Sequence, residues 1–121
     1  WEDEMNETRA QDFATQWINA WNSHDLDSIL SHYADDIEFT SPFVIRLSGD
    51  QSGTLHGKDA LRAYFQTGLD AYPDLKFELL DVFSGVGSLT LHYRSVNNLT
   101  AAEVMIFDEN GKVAKVLAHY A

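Results

Sequence analysis

The chain has 121 residues, the length of one domain able to bury a core of its own. It has no cysteine, which excludes disulfides, thiolate metal sites and a cysteine nucleophile. Eight Lys and Arg against nineteen Asp and Glu give a net charge of −11, a field that repels nucleic-acid backbones and anionic lipid surfaces. No apolar run approaches the roughly 18 residues of a membrane span, so the expectation is a soluble, cytoplasmic protein with neither nucleic-acid nor membrane partners. The chain starts at Trp1, and residues 1–7, which are mostly acidic and polar, are expected to be an extension outside the folded domain.

Thr8 followed by Gln11 resembles a capping box and predicts a first helix from about Arg9 to Asn22. Within it Ala10, Phe13, Ala14, Trp17, Ile18 and Trp21 fall on one face of a 3.6-residue period. Asn22, Ser23 and His24 break that helix, and Asp25 is placed to cap a second one carrying Leu26, Ile29, Leu30 and Tyr33 and ending near Ala34. From Ile37 the period changes to two, with Ile37, Phe39, Ser41 and Phe43 sharing one side of a strand. Val44 to His56 reads as a long loop, the kind that forms rims or lids. Gly57 opens another helix, with Leu61, Tyr64, Phe65, Leu69 and Tyr72 on its buried face, and Pro73 stops it. The remainder alternates as four strands, at 76–83, 88–96, 101–107 and 113–120, joined by turn-forming stretches that make it an antiparallel meander. The implied architecture is α+β, a curved antiparallel sheet with three helices from the first half packed on one face. The other face carries Val104, Ile106 and Leu117 and is expected to meet a second copy of the chain in a homodimer.

This order of elements resembles the nuclear transport factor 2-like superfamily, in its SnoaL-like and ketosteroid isomerase-like branch. The stretches that carry the resemblance are AWNSHDLDSILSHYADDIEFTSP, LHGKDALRAYF, YPDLKFELLDV and FDENGKV, and it spans about Asp12 to Tyr120 as a single domain. It implies a cone-shaped fold with a pocket between helices and sheet, a shape shared by isomerases, polyketide cyclases, dehydratases, epoxide hydrolases and non-catalytic binders. On the strand phases above, the pocket would be lined by Trp17, Trp21, Tyr33, Phe39, Tyr64, Met105, Phe107 and Tyr120, with His56 at the mouth and Ser41 and Glu103 as the groups with catalytic potential.

Laid on the ketosteroid isomerase pattern, Ser41 stands where that family has its general-base aspartate, and Trp17 where it has an oxyanion-hole tyrosine. Glu103 stands at the protonated aspartate, the one conservative match. The SnoaL-like cyclases carry an acid or base where this chain has Leu117, and the epoxide hydrolase pair falls nearest His92 and Arg94, with no carboxylate. His92 and Arg94 lie on the strand face opposite Leu89, Leu91 and Tyr93, which leaves them open between surface, dimer face and pocket. The histidines form no metal-binding spacing, and neither a metal nor a cofactor is expected. The function implied is a pocket for an apolar, cyclic small molecule, with isomerase- or cyclase-type chemistry. The alternative is a non-catalytic binding or dimerisation module of the same fold.

Overall fold

The structure is a computed structural model and describes residues 5–121. Four α-helices and six strands follow one another as α1 (Glu7–Asn22), α2 (Leu26–Leu30), β1 (Tyr33–Thr40), α3 (Pro42–Ser48), β2 (Thr54–His56), α4 (Lys58–Ala71), β3 (Glu78–Gly85), β4 (Ser88–Arg94), β5 (Thr100–Phe107) and β6 (Val113–Tyr120). The strands form one curved, unclosed sheet in the order β2-β1-β6-β5-β4-β3. The helices come from the first half of the chain, as expected for an α+β fold of this kind.

Helix α1 starts earlier than the capping-box reading predicts. The Asn6 side chain, not Thr8, caps it by accepting a hydrogen bond from the Arg9 backbone N–H at 3.0 Å, and Glu7 places negative charge in the first turn. Asn6 and Glu7 therefore belong to the folded domain and Met5 packs against its core, while the rest of the expected extension, residues 1–4, lies outside the described residues. Ala10, Ala14, Trp17, Ile18 and Trp21 are buried as one stripe. At the end of α1 the backbone turns through His24 at φ 60°, and Asp25 caps α2 by accepting from the Ser28 N–H and Oγ–H.

The Asn22–Asp25 joint also reaches across the molecule. Asn22 donates from Nδ2 to the Phe77 carbonyl at 3.0 Å and accepts from the Phe77 N–H at 2.7 Å, while His24 Nε2 lies 2.8 Å from the Leu75 carbonyl. These bonds fix the segment leading into β3 against the end of α1.

Three expectations change in the structure. Helix α2 ends at Leu30, so Tyr33 and Ala34 open β1 instead of closing a helix. The long loop after Ser41 contains α3, because Ser41 caps it, Pro42 supplies a preset first residue and Gly49 ends it at φ 75°. That helix ends the β1 alternation at Thr40 and moves Phe43 off the strand. The sheet is also not wholly antiparallel: β1 runs parallel to β6, with Phe39 opposite Val116 and Thr40 opposite Leu117. The β3–β4–β5–β6 meander is antiparallel throughout.

The core lies between the helices and one face of this sheet, with Ile37, Leu61, Leu89, Leu91, Met105 and Val116 among its fully buried residues. The opposite face carries a row in register across five strands: Phe83, Thr90, Val104, Leu117 and Thr40.

Candidate functional site

Period-two alternation puts Ala101, Glu103 and Met105 of β5 on the helix side of the sheet, and all three are buried. Glu103 is thereby carried inward with its apolar neighbours and is only 4% exposed. Its Oε2 accepts a hydrogen bond from the Tyr93 hydroxyl, which β4 presents on the same face. Its Oε1 is buried and has no protein partner among the described residues. Burial disfavours the carboxylate and lifts the Glu103 pKa from 4.5 to about 7, with the Tyr93 bond opposing the rise.

Glu103 and Tyr93 face a cavity of about 290 Å³ between helices and sheet. Trp17 and Trp21 of α1, Tyr33 and Phe39 of β1, Tyr64 and Phe65 of α4 and Tyr120 of β6 form most of its inner wall. Trp17 donates from Nε1 to the Tyr33 hydroxyl at 2.9 Å, whereas Trp21 Nε1 is buried without an acceptor. Phe43, Arg46 and Leu47 of α3 and Tyr72 after α4 form the rim, where Leu47 is 60% exposed. The cavity thus opens to the surface beside α3.

Four tyrosines share the cavity wall with Glu103, and burial first, with the nearby carboxylate adding to it, holds every one of them in the phenol form. The Tyr64 pKa is pushed up to about 12, and those of Tyr33, Tyr93 and Tyr120 rise well above the usual range. Hydrogen bonding from Ser41 works against that rise at both Tyr64 and Tyr120. Ser41 is 1% exposed and its Oγ also accepts from the Phe43 N–H at 3.2 Å, so it holds the start of α3 behind the tyrosines and does not itself line the cavity.

Of the residues read from the sequence as pocket candidates, Trp17, Trp21, Tyr33, Phe39, Tyr64, Glu103 and Tyr120 line this cavity together. His56 does not: β2 pairs it opposite Glu38 on the outer side of β1, where its Nδ1 lies 3.9 Å from Glu38 Oε1. Met105 faces inward but is sealed in the core at 0% exposure. Phe107 is displaced by the irregularity between Ile106 and Phe107 and packs edge-on against Phe13, with ring centres 5.1 Å apart. His92 and Arg94 point to the outer face, where His92 Nδ1 meets Asp81 Oδ2 at 3.0 Å and Arg94 Nε meets Glu78 Oε1 at 3.4 Å.

Tyr93 and the α3 rim were not singled out from the sequence. The alternation Leu89-Leu91-Tyr93 marks Tyr93 as inward, and the hairpin to β5 then places it beside Glu103. The signal for α3 is Ser41-Pro42 followed by Gly49. Among the described residues no cluster of His, Asp or Glu has the geometry to hold a metal ion, and no helix is long and apolar enough to cross a membrane.

The helix-covered sheet and the cavity within it define a fold of the nuclear transport factor 2-like superfamily. The SnoaL-like domain model matches residues 14–116, and the chain belongs to the SnoaL-like family. It is similar to a SnoaL-like protein of unknown function from Burkholderia thailandensis E264, with 45% identity, 98% of each chain covered and a TM-score of 0.95. The fold is shared with a protein from Kribbella flavida DSM 17836 at 23% identity, covering 95% of this chain and 88% of that one, TM-score 0.72. It is also shared with a SnoaL-like family protein from Agrobacterium tumefaciens str. C58, provisionally assigned as an isomerase, at 14% identity with 94% and 98% covered and a TM-score of 0.76. No curated protein matches the chain.

Proposed function

We propose that the cavity binds a compact, largely apolar, cyclic small molecule and that Glu103 exchanges a proton with it, in an isomerase- or cyclase-type reaction. The observation that carries this reading is the Glu103 carboxyl itself, buried among aromatic rings, tethered at one oxygen and unpartnered at the other. A buried group of this kind costs stability unless something meets it, and a ligand group in the cavity would do so. With its pKa near 7, Glu103 populates both protonation states at neutral pH, which suits a group that gives and takes protons. The aromatic wall supplies apolar contact for the ligand body.

The chemistry differs from that of the ketosteroid isomerases at two positions. Ser41 cannot replace a carboxylate base, and the Trp17 N–H is already committed to Tyr33. Among the described residues Glu103 is then the one carboxyl group on the cavity wall, and the tyrosines beside it stay in the phenol form. Mass spectrometry of any small molecule that copurifies with the protein would identify the ligand. With that ligand in deuterium oxide, exchange of its carbon-bound protons should fall by about 10²–10⁴-fold in Glu103→Gln. Undiminished exchange or turnover in the variant removes Glu103 from this role, and binding without any exchange in the native protein favours the non-catalytic reading.

A second reading concerns the outer sheet face. Phe83 is 59% exposed, Ile106 39% and Leu117 37%, and with Val104 they make an apolar strip fit to pair with a second copy of the chain as a homodimer.

A further inference from the structure

We propose that the molecule bound in the cavity is an amphipathic ring compound with a single acidic group, held by Arg46 at the mouth while its polar head turns inward to Trp21 and Glu103. This names the ligand class for the site described above and rests on the reading of that cavity as a binding site.

Three observations carry it. First, among the described residues Arg46 is the only cationic residue that lines the cavity and Glu103 the only carboxyl, and they stand at its rim and its inner wall. Second, Arg46 has no carboxylate partner among the described residues, although the chain carries nineteen Asp and Glu. Its guanidinium instead lies over the Phe43 ring, 4.9 Å from the centroid, and Phe43 is itself braced edge-on by Tyr120 at 4.5 Å. Stacking of this kind holds the planar group while leaving its N–H donors free for an oxyanion. Third, two residues of the inner wall each carry a buried polar atom with no partner among the described residues, Trp21 Nε1 and Glu103 Oε1, on side chains 7% and 4% exposed.

A ligand with one polar end would satisfy either the wall or the rim. A ligand with polar groups at both ends and rings between them satisfies both, and its body covers the exposed apolar rim at Leu47 and Tyr72. The net charge of −11 disfavours anions over the surface as a whole, so an acidic ligand needs a local cation such as Arg46 beside the cavity.

Two fluorescent probes with the same ring system test this, anilinonaphthalene sulfonate, which is anionic, and phenylnaphthylamine, which is neutral. Each is titrated into the full chain, into Arg46→Gln and into Gly68→Phe. Gly68 lines the cavity from α4, and a Cβ added there meets no atom within 4 Å, so a phenylalanine is accommodated at its base and is introduced to obstruct the cavity. The expected result is that Arg46→Gln weakens the sulfonate by about tenfold, as loss of a charge-assisted contact does. Phenylnaphthylamine binding should stay unchanged in Arg46→Gln, and Gly68→Phe should weaken both probes. Added salt should weaken the sulfonate alone. Unchanged sulfonate binding in Arg46→Gln, or equal weakening of both probes, overturns the acidic-ligand inference while leaving the cavity as a site. Failure of both probes to bind, or binding of both that ignores Gly68→Phe, overturns the cavity reading and this inference with it.

Discussion

The Tyr93 hydroxyl on β4 donates to Glu103 on β5 although the two residues are not cross-strand partners, since Tyr93 faces Ala101 and Leu91 faces Glu103. The bond runs diagonally across the inner face of the sheet and ties up one carboxyl oxygen while the other is buried with no partner among the described residues. Both groups are buried, so the protonation of Glu103 is coupled to folding.

The sign of that coupling is fixed. Glu103 has a folded pKa of about 7 against an ordinary 4.5, so the folded chain holds a proton there that the unfolded chain has lost. This contribution to stability is fully present below the unfolded value and is lost as pH rises through about 7, a change of about 3 kcal/mol. Urea unfolding of the native chain and of Glu103→Gln at about pH 5 and about pH 8 isolates it. The native chain should lose more stability between the two, and equal losses would refute the coupling.

Replacing Tyr93 with phenylalanine removes the donor that opposes the rise, so Glu103 should titrate above its present value of about 7. Carbon-detected NMR of the Glu103 side-chain carboxyl against pH measures this directly. A titration midpoint that falls or stays put contradicts the assigned bond.

Trp17 is 1% exposed, donates to Tyr33 and stacks with Phe77 at 6.0 Å between centroids. Trp17→Ala should cost about 3–5 kcal/mol in denaturant unfolding and join the vacated space to the cavity. A loss below about 1 kcal/mol would show that the neighbouring rings collapse into the gap.

Gly68 lies within α4 and has no atom within 4 Å of where its Cβ would stand. Gly68→Ala should therefore stabilise the chain by about 0.5–1 kcal/mol through helix propensity, with the cavity slightly reduced. Thermal unfolding checks the direction, and a lower midpoint would show that the helix is strained there.

Leu117→Asp on the outer sheet face should convert a dimer into a monomer in sedimentation at micromolar concentration. Leu117 sits between Val104 and Thr40 in the cross-strand row, so a charge there enters the middle of the apolar strip. A native chain that already sediments as a monomer removes the dimer reading.

The parts of the fold legible in the sequence are those written in a single periodicity. Trp17 and Trp21 follow from the helical stripe, and Glu103 from the alternation of β5, because burial of one face imposes each pattern. The α3 segment was hidden because Ile37, Phe39, Ser41 and Phe43 alternate past the true end of β1, and a short helix offers too few turns to show its own period. His56 shows the opposite failure. Its position before α4 suggests the mouth, but the side it faces depends on pairing with Glu38, a partner 18 residues away. Tyr93 as a partner for Glu103 needed the register between two strands, which no single stretch contains.

The parallel pairing of β1 with β6 affects how the molecule can be assembled. β6 lies between β1 and β5, so the first and last strands in sequence are neighbours at the middle of the sheet. Until residues 113–120 are in place, β2 and β1 form one fragment of sheet and the β3–β4–β5 hairpins another, with no edge in common. Closure therefore waits on pairing of β1 with β6, strands far apart in sequence, and closing that long loop carries an entropic cost that slows non-local pairing. Until β6 is available, the margins of β1 and β5 that it will cover remain open for pairing with other chains.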